Sequence, residues 1–372
     1  MAITRSSFIM QVAGYMRFIL KMLSMRLMIQ SFSRCVEQFG HANDCRLRLR
    51  DSMPTRRQWP RFWFVFCLPF MLSIAHAQDA TSRVLRVGPE YKLKLPSAAA
   101  AVARDGDRVE IEGGDYSGDV ATWTQNRLML IGVNGRPHLK AAGQAAEGKA
   151  IWVIKGRDVR VQNIEFSGTA VPGFAGAGIR VEGTGLSIRD AHFHDNQMGI
   201  LTNNDPNSTL TIIGSRFYRN VVDYRRHGRL GHNIYVGRIA RFELRDTDVY
   251  GAETGHQVKS RARRNKIIGN RIRDINGASS YLIDICEGGE AVIHDNDLLQ
   301  AARAPNRTAI AFAPEAKDKS APGSLTVSRN RFVNEGSLGT FVYNHANLQA
   351  LLEDNRFSGR VRPLRGPGKV RQ

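Results

Sequence analysis

The sequence predicts an all-β solenoid, a parallel β-helix with a short N-terminal capping helix. Two observations carry this. A short block in which apolar residues alternate with others recurs along the last two thirds of the chain, and a second strand-like run precedes each block at about the same interval. The blocks lie at residues 161–166, 188–193, 212–217, 244–249, 267–272, 292–298, 327–332 and 352–357. Anchored on Asn163, Ala191, Ser215, Thr247, Asn270, Asn296, Asn330 and Asn355, they are spaced by 28, 24, 32, 23, 26, 34 and 25 residues. Self-similarity at such a period marks a stacked, quasi-one-dimensional fold. Each unit reads as strand, because β-branched and aromatic residues alternate with polar ones and Gly, Asn and Asp cluster between the runs.

The second strand family lies at residues 178–181, 199–202, 233–236, 257–260, 282–285, 309–312 and 341–344. Short strands that each pair with their counterpart one turn later describe a parallel β-helix. Five of the eight anchor positions are Asn, so the expectation is an amide ladder at a bend, where each side chain bonds its neighbours and satisfies buried backbone. The repeated blocks and their Asn positions make the chain resemble the pectin-lyase-like right-handed parallel β-helix superfamily over about residues 95–360. The resemblance implies a right-handed coil. The run Pro96-Ser97-Ala98-Ala99-Ala100-Ala101-Val102-Ala103 then corresponds to the helix that plugs the first coil, an end whose strand edges need cover.

Residues 53–77 read as a secretory signal. Arg56, Arg57 and Arg61 form a basic region, residues 62–74 an apolar core too short to span a bilayer comfortably, and Ala75-His76-Ala77 a small-residue cleavage site. The mature chain is expected in the periplasm or outside the cell, without a membrane span and as a monomer. Residues 1–52 hold six of the ten methionines together with Cys35 and Cys45, and show no strand repeat. They read as a non-native or disordered extension, with translation starting at Met53. Residues 78–94 are expected to be a lead-in and 361–372 a basic tail. Of the four cysteines only Cys286 lies beyond the signal, so no intrachain disulfide is expected and the fold must rest on its apolar interior.

The formal net charge is +19, from 53 basic and 34 acidic side chains; setting aside the 11 and 3 in residues 1–77 leaves 42 and 31, or +11. That balance favours a polyanionic partner. Export and the lack of a nucleic-acid-binding motif argue against nucleic acid and for an acidic polysaccharide. No cofactor motif is visible, and no coil supplies the clustered oxygen ligands that calcium requires, so no metal is expected.

Strands of adjacent coils stack about 4.8 Å apart, so equivalent residues form columns. The outward column of the second strand family reads Arg180, Leu201, Tyr235, Lys259, Asp284, Ala311, Tyr343. Gly231-His232-Asn233 and Gly255-His256-Gln257 repeat at a step of 24 residues. Candidate chemistry is therefore concentrated around residues 231–287. Tyr235, Lys259, His232, His256 and Asp284 are the candidate catalytic residues, and Arg261, Asn233 and Gln257 the candidate substrate-binding ones. By strict alternation His232 and His256 share the inward parity of Ile234 and Val258, although alternation often fails at a strand's first residue.

β-Elimination from a uronate needs neutralisation of the sugar carboxylate, a base for the adjacent proton and an acid for the departing oxygen. Arg261 fits the first role, Lys259 or a histidine the second, and Tyr235 the third. A lysine acts as base only where burial or nearby cations lower its pKa. Without loss of the leaving group the same set would epimerise that carbon. The run Lys259-Ser260 followed by Asn265, Ile268 and Asn270 is similar to the lysine region of β-helical alginate and chondroitin lyases, which implies that Lys259 is a base; the next coil carries Asp284 where those enzymes have arginine. Gly231-His232-Asn233 and Gln257-Val258-Lys259 resemble motifs of β-helical polygalacturonases, but the paired aspartates those hydrolases use are missing, since Asp205 and Asp223 stand apart. A lyase or C5-epimerase is the leading reading, a non-catalytic polysaccharide-binding or surface-assembly protein the alternative, and a hydrolase ranks below both.

Overall fold

The computed structural model describes residues 82–275 and 279–372. The signal-like segment 53–77 and the extension 1–52 lie outside the described residues. The fold is a parallel β-helix. One face is a ten-stranded parallel sheet, in which each strand pairs with the strand one coil before and the strand one coil after. The other two strand ladders join into one twenty-stranded sheet. Among the described residues no helix is long and apolar enough to cross a membrane.

The solenoid runs further in both directions than residues 95–360. Strand Val84–Val87 already pairs with residues 108–111, so the lead-in is part of the first coil. The expected basic tail is likewise structured: Val361–Arg365 pairs along Gly339–Asn344, and Gly368–Arg371 along Ala350–Glu353. Helix Pro96–Val102 starts with proline, whose missing N–H costs nothing in a first turn, and buries Ala99 and Ala100. Its Ser97 N–H donates to Asp119 Oδ2 at 3.0 Å, which satisfies one of the donors that a helix start leaves unpaired.

Inside, equivalent apolar residues stack coil upon coil. The rings of Phe166, Phe193 and Phe217 lie nearly parallel, with centroids 4.9 and 4.6 Å apart, and all three are fully buried. Burying side chains of this size contributes roughly 1.5–3 kcal/mol each. Gly199 faces this stack. A Cβ there would lie 2.8 Å from Phe217 Cδ1 and 2.3 Å from the Asn233 carbonyl oxygen, so any side chain would force the coils apart.

The amide ladder forms from Ala191 onward. Ala191 N–H donates to Ser215 Oγ, Ser215 N–H to Thr247 Oγ1, and Thr247 N–H to Asn270 Oδ1. The Nδ2 groups of Asn270, Asn296 and Asn330 then each donate at 2.9 Å to the next Asn, ending at Asn355. Asn163 departs from the ladder and caps the Gly132 and Gly135 carbonyls instead.

A second ladder at another corner runs Asn196, Asn220, Asn233, Gln257, with Nδ2-to-oxygen distances of 2.9, 2.7 and 2.6 Å. It determines where two of the expected substrate-binding residues sit.

Candidate functional site

The outward column of the ten-stranded sheet has the register expected from the repeat. Arg180 pairs with Leu201, Leu201 with Tyr235, Tyr235 with Lys259, Lys259 with Asp284, Asp284 with Ala311 and Ala311 with Tyr343. Three consecutive strands, His232–Val236, Val258–Ser260 and Ile283–Ile285, therefore set Tyr235, Lys259 and Asp284 side by side.

Beside this column opens a groove of about 910 Å³ lined by Tyr235, Arg238, Arg261, Glu287, Glu315 and Lys317, among others. A chain of alternating charges crosses it. Arg238 grips Glu287 through Nε at 2.8 Å and Nη2 at 2.5 Å. Arg261 donates from Nη1 to Glu287 Oε1 at 2.5 Å, from Nη2 to Glu315 Oε2, and from Nε to the Tyr235 hydroxyl oxygen at 3.2 Å. Lys259 Nζ donates to Glu315 Oε1 at 2.5 Å and to Asp284 Oδ2 at 3.1 Å.

Burial alone would lower the pKa of the Lys259 ammonium, but Asp284 and Glu315 outweigh it and hold the pKa well above the usual lysine range. This corrects the expectation that basic neighbours free Lys259 to act as a base: the groups touching its nitrogen are carboxylates. Asp284 is 1 % exposed, and burial pushes its carboxyl up to about 6 against the pull of Lys259. Burial also raises Glu315, but its hydrogen bonds from Lys259 and Arg261 bring it below the ordinary carboxylate value.

The two histidines depart from alternation and lie against the outward column. The His232 ring meets Tyr235 edge-on at 5.3 Å and stacks on His256 at 5.0 Å; His256 in turn stacks on Tyr281 at 5.3 Å. Burial followed by the nearby Lys259 charge lowers His232 to about 3, and burial with the neighbouring His232 and Lys259 lowers His256 well below its ordinary value. Both are neutral imidazoles. His232 Nδ1 accepts the His256 backbone N–H at 3.0 Å, so the His232 proton sits on Nε2 and neither nitrogen is a free base. His256 Nε2 lies 3.9 Å from Asp284 Oδ2, and its Nδ1 is buried without a partner.

Asn233 and Gln257 do not reach the groove. Both are 0 % exposed and form rungs of the interior ladder, so neither binds substrate from this position. At this corner His232, Asn233 and Ile234, and likewise His256, Gln257 and Val258, are all buried; the amides form the interior ladder while the imidazoles stack beside Tyr235.

Sequence reasoning did not place Glu315, Arg238 or Glu287 in the site. Glu315 lies on an excursion after strand Thr308–Phe312, within the longest step between anchors, the 34 residues from Asn296 to Asn330. That long step was the available signal. Cys286 is inert here: burial and the adjacent Asp284 push its thiol up to about 12, and Sγ lies 3.1 Å from the Ser260 carbonyl oxygen. Asp284, Cys286 and Glu315 offer three ligand atoms within 4.8 Å, yet Lys259 Nζ already bonds both carboxylates and supplies the cation.

Residues 143–302 match the family model described as "Right handed beta helix region". Among solved structures the chain is similar to a pectate lyase, Pel9A, at 14 % identity over 78 % of each chain with a TM-score of 0.47. It is also similar to a pectin methylesterase in complex with a hexasaccharide, at 12 % identity over 76 % of this chain and 81 % of that one with a TM-score of 0.35. A third is the pectin methylesterase PemA from Erwinia chrysanthemi, at 10 % identity over 75 % and 80 % with a TM-score of 0.34. No curated protein matches the chain. Likeness at this level carries no argument about the reaction.

Proposed function

We propose that this chain, whose fold is a right-handed parallel β-helix, is an exported enzyme acting on an acidic, uronate-containing polysaccharide as a lyase or C5-epimerase. The observation that carries the reading is Glu315. Its carboxylate projects into the groove and is held by Lys259 through one oxygen and Arg261 through the other. The protein's own carboxylate thus occupies the position a sugar carboxylate would take, and charge-assisted bonds of this kind are the strong ones. The excess of basic side chains and the signal-like segment at 53–77 support the substrate class and the export.

In this reading the uronate displaces Glu315, and Lys259 and Arg261 neutralise its carboxylate, which acidifies the neighbouring C–H. Glu315, released from both cations, is the base within reach. Tyr235 supplies the one hydroxyl among the groove-lining residues. Its oxygen accepts the Arg261 Nε–H, which leaves its own proton free to be donated. In elimination the base removes the C5 proton, the C4–O bond breaks as the C4–C5 double bond forms, and Tyr235 protonates the departing oxygen. In epimerisation the C4–O bond stays intact, Glu315 keeps the proton it removed, and Tyr235 gives its proton to the opposite face of C5.

A hydrolase is the second reading, favoured by one finding. Asp284 and Glu315 both bond Lys259 Nζ, so two carboxylates lie close together, as the acid and nucleophile of retaining glycosidases do. Asp284 is 1 % exposed, whereas Glu315 lines the groove, so only one of the two carboxylates is open to a substrate, which favours the first reading.

The experiment is incubation with a panel of acidic polysaccharides under three readouts: ultraviolet absorbance of unsaturated uronates, new reducing ends without unsaturation, and sugar configuration by NMR. Absorbance, or inversion without cleavage, that falls at least ~100-fold in Tyr235→Phe and Arg261→Ala supports the proposal. Reducing ends alone support the hydrolase. Binding with no product on any substrate overturns enzymatic function in favour of a binding module.

A further inference from the structure

On a different strand ladder, away from the groove, three neighbouring coils bring together two imidazoles and a carboxylate. Strand Met129–Lys140 carries His138, strand Glu165–Ser167 carries Glu165, and strand His192–His194 carries His194. In register, His138 pairs with Glu165 and Lys140 with Ser167, while Glu165 pairs with His192 and Ser167 with His194. Glu165 Oε1 lies 2.8 Å from His194 Nε2 and 4.0 Å from His138 Nε2, and the three groups offer ligand atoms within 4.8 Å of one another. Their side chains are 11–23 % exposed, which leaves the cluster open to solvent on one side.

The surroundings are also ordered. His194 Nδ1 donates to Asp195 Oδ2 at 2.6 Å, and Asp195 is held by Arg219 through Nε and Nη2, both at 2.8 Å. The His194 ring lies flat against Tyr218, with centroids 4.7 Å apart. A carboxylate on the far nitrogen of an imidazole fixes the ring and aims the near nitrogen's lone pair, which is the usual support of a metal-binding histidine.

We propose that His138 Nε2, His194 Nε2 and the Glu165 carboxylate bind one divalent first-row transition metal ion, of which Zn²⁺ is the best fit, and that the ion staples three coils near the N-terminal end of the solenoid. Imidazole and carboxylate suit such ions, and three protein ligands leave a fourth position to water on the exposed side. Binding replaces the His194 Nε2 proton with the metal and releases that proton to solvent. His138 Nε2 turns from Ser167 Oγ, now 2.7 Å away, to the ion. The proposal is independent of what the groove does.

The competing arrangement is a bare ion pair, in which a protonated His194 bridges Glu165 and Asp195 and no metal binds. The full-length protein, stripped with a chelator, is titrated with Co²⁺ and then with Zn²⁺ in competition. The expected result is a visible d–d absorption that saturates at one equivalent and is abolished by Zn²⁺. His138→Ala and His194→Ala should each weaken this binding at least ~100-fold, and Asp195→Asn, which leaves all three ligands in place, by about 10–100-fold. No saturable Co²⁺ signal, or one of the same affinity in His138→Ala and His194→Ala, overturns the proposal. So does full affinity in Asp195→Asn together with a loss in His194→Ala that matches a loss of folded signal.

Discussion

Lys259 Nζ donates to Asp284 Oδ2 at 3.1 Å, one coil along, and neither side chain is more than 9 % exposed. A buried pair of this kind is costly to break from one side. Asp284→Ala should lower stability by about 3 kcal/mol, because Lys259 is left with the more exposed Glu315 alone. Replacing both, as Lys259→Met with Asp284→Leu, should recover most of that loss. Denaturant midpoints of the three proteins measure it, and a double variant no more stable than Asp284→Ala would show that the pair is not the source of the loss.

Removing Glu315 acts in the opposite sense on binding. Glu315→Ala frees Lys259 and Arg261, and affinity for an acidic polysaccharide should rise about 10-fold, or ~1.4 kcal/mol. Turnover should fall at the same time if Glu315 is the base. Affinity electrophoresis in polyuronate gels, paired with the activity assay, separates the two effects.

Stability should fall on acidification below neutrality. His232 is held at about 3 and His256 is also lowered, so below their ordinary value of 6.5 the unfolded chain takes up protons that the folded chain refuses. Their contribution is full above pH 6.5 and is lost as pH falls towards the folded values. At pH 5 His232 alone accounts for about 2 kcal/mol. Asp284 works against this: its folded value is raised to about 6, so its contribution is full below its ordinary 3.8 and is lost as pH rises through 6. The net loss between pH 7 and pH 5 should shrink in His232→Gln and grow in Asp284→Asn, as read from urea midpoints.

Phe193 lies between Phe166 and Phe217 in the ring stack, fully buried. Phe193→Ala should cost about 3–5 kcal/mol through the cavity it leaves. Calorimetry tests this, and a loss below 1 kcal/mol, comparable to a surface substitution, would mean that the stack is not a principal support.

Asn296 donates to the Ile267 and Asn330 oxygens at 2.9 Å and accepts from Asn270, so Asn296→Ala leaves several buried polar groups unpaired. A loss of about 1–3 kcal/mol is expected. Hydrogen exchange should show faster amide exchange at Asn270 and Asn330, the two adjoining rungs, before it appears in coils further away.

The column from Arg180 to Tyr343 was legible because a stacked strand repeats its pattern every coil, so aligning apolar positions aligns everything between them. The same alignment misplaced Asn233 and Gln257. Alternation assigns them the parity of Tyr235 and Lys259, but the chain turns a corner there and the amides complete an interior ladder. Nothing in the local pattern distinguishes an amide that bonds a sugar from one that bonds another amide. Lys259 stands in the column where the repeat puts it, but its charge state was not legible, since Glu315, which helps hold it cationic, arrives from 56 residues away. Contacts supplied by an excursion have no periodic signature, only the extra length of the step that contains them.

That extra length bears on how such proteins diversify. The anchor ladder holds its rungs whether the intervening stretch is the 23 residues from Thr247 to Asn270 or the 34 from Asn296 to Asn330. Lengthening a loop costs little free energy, about 0.6 kcal/mol per doubling. A lineage can therefore graft, trim or exchange the excursion that carries Glu315 and recast what the groove accepts, while inheriting the frame unaltered.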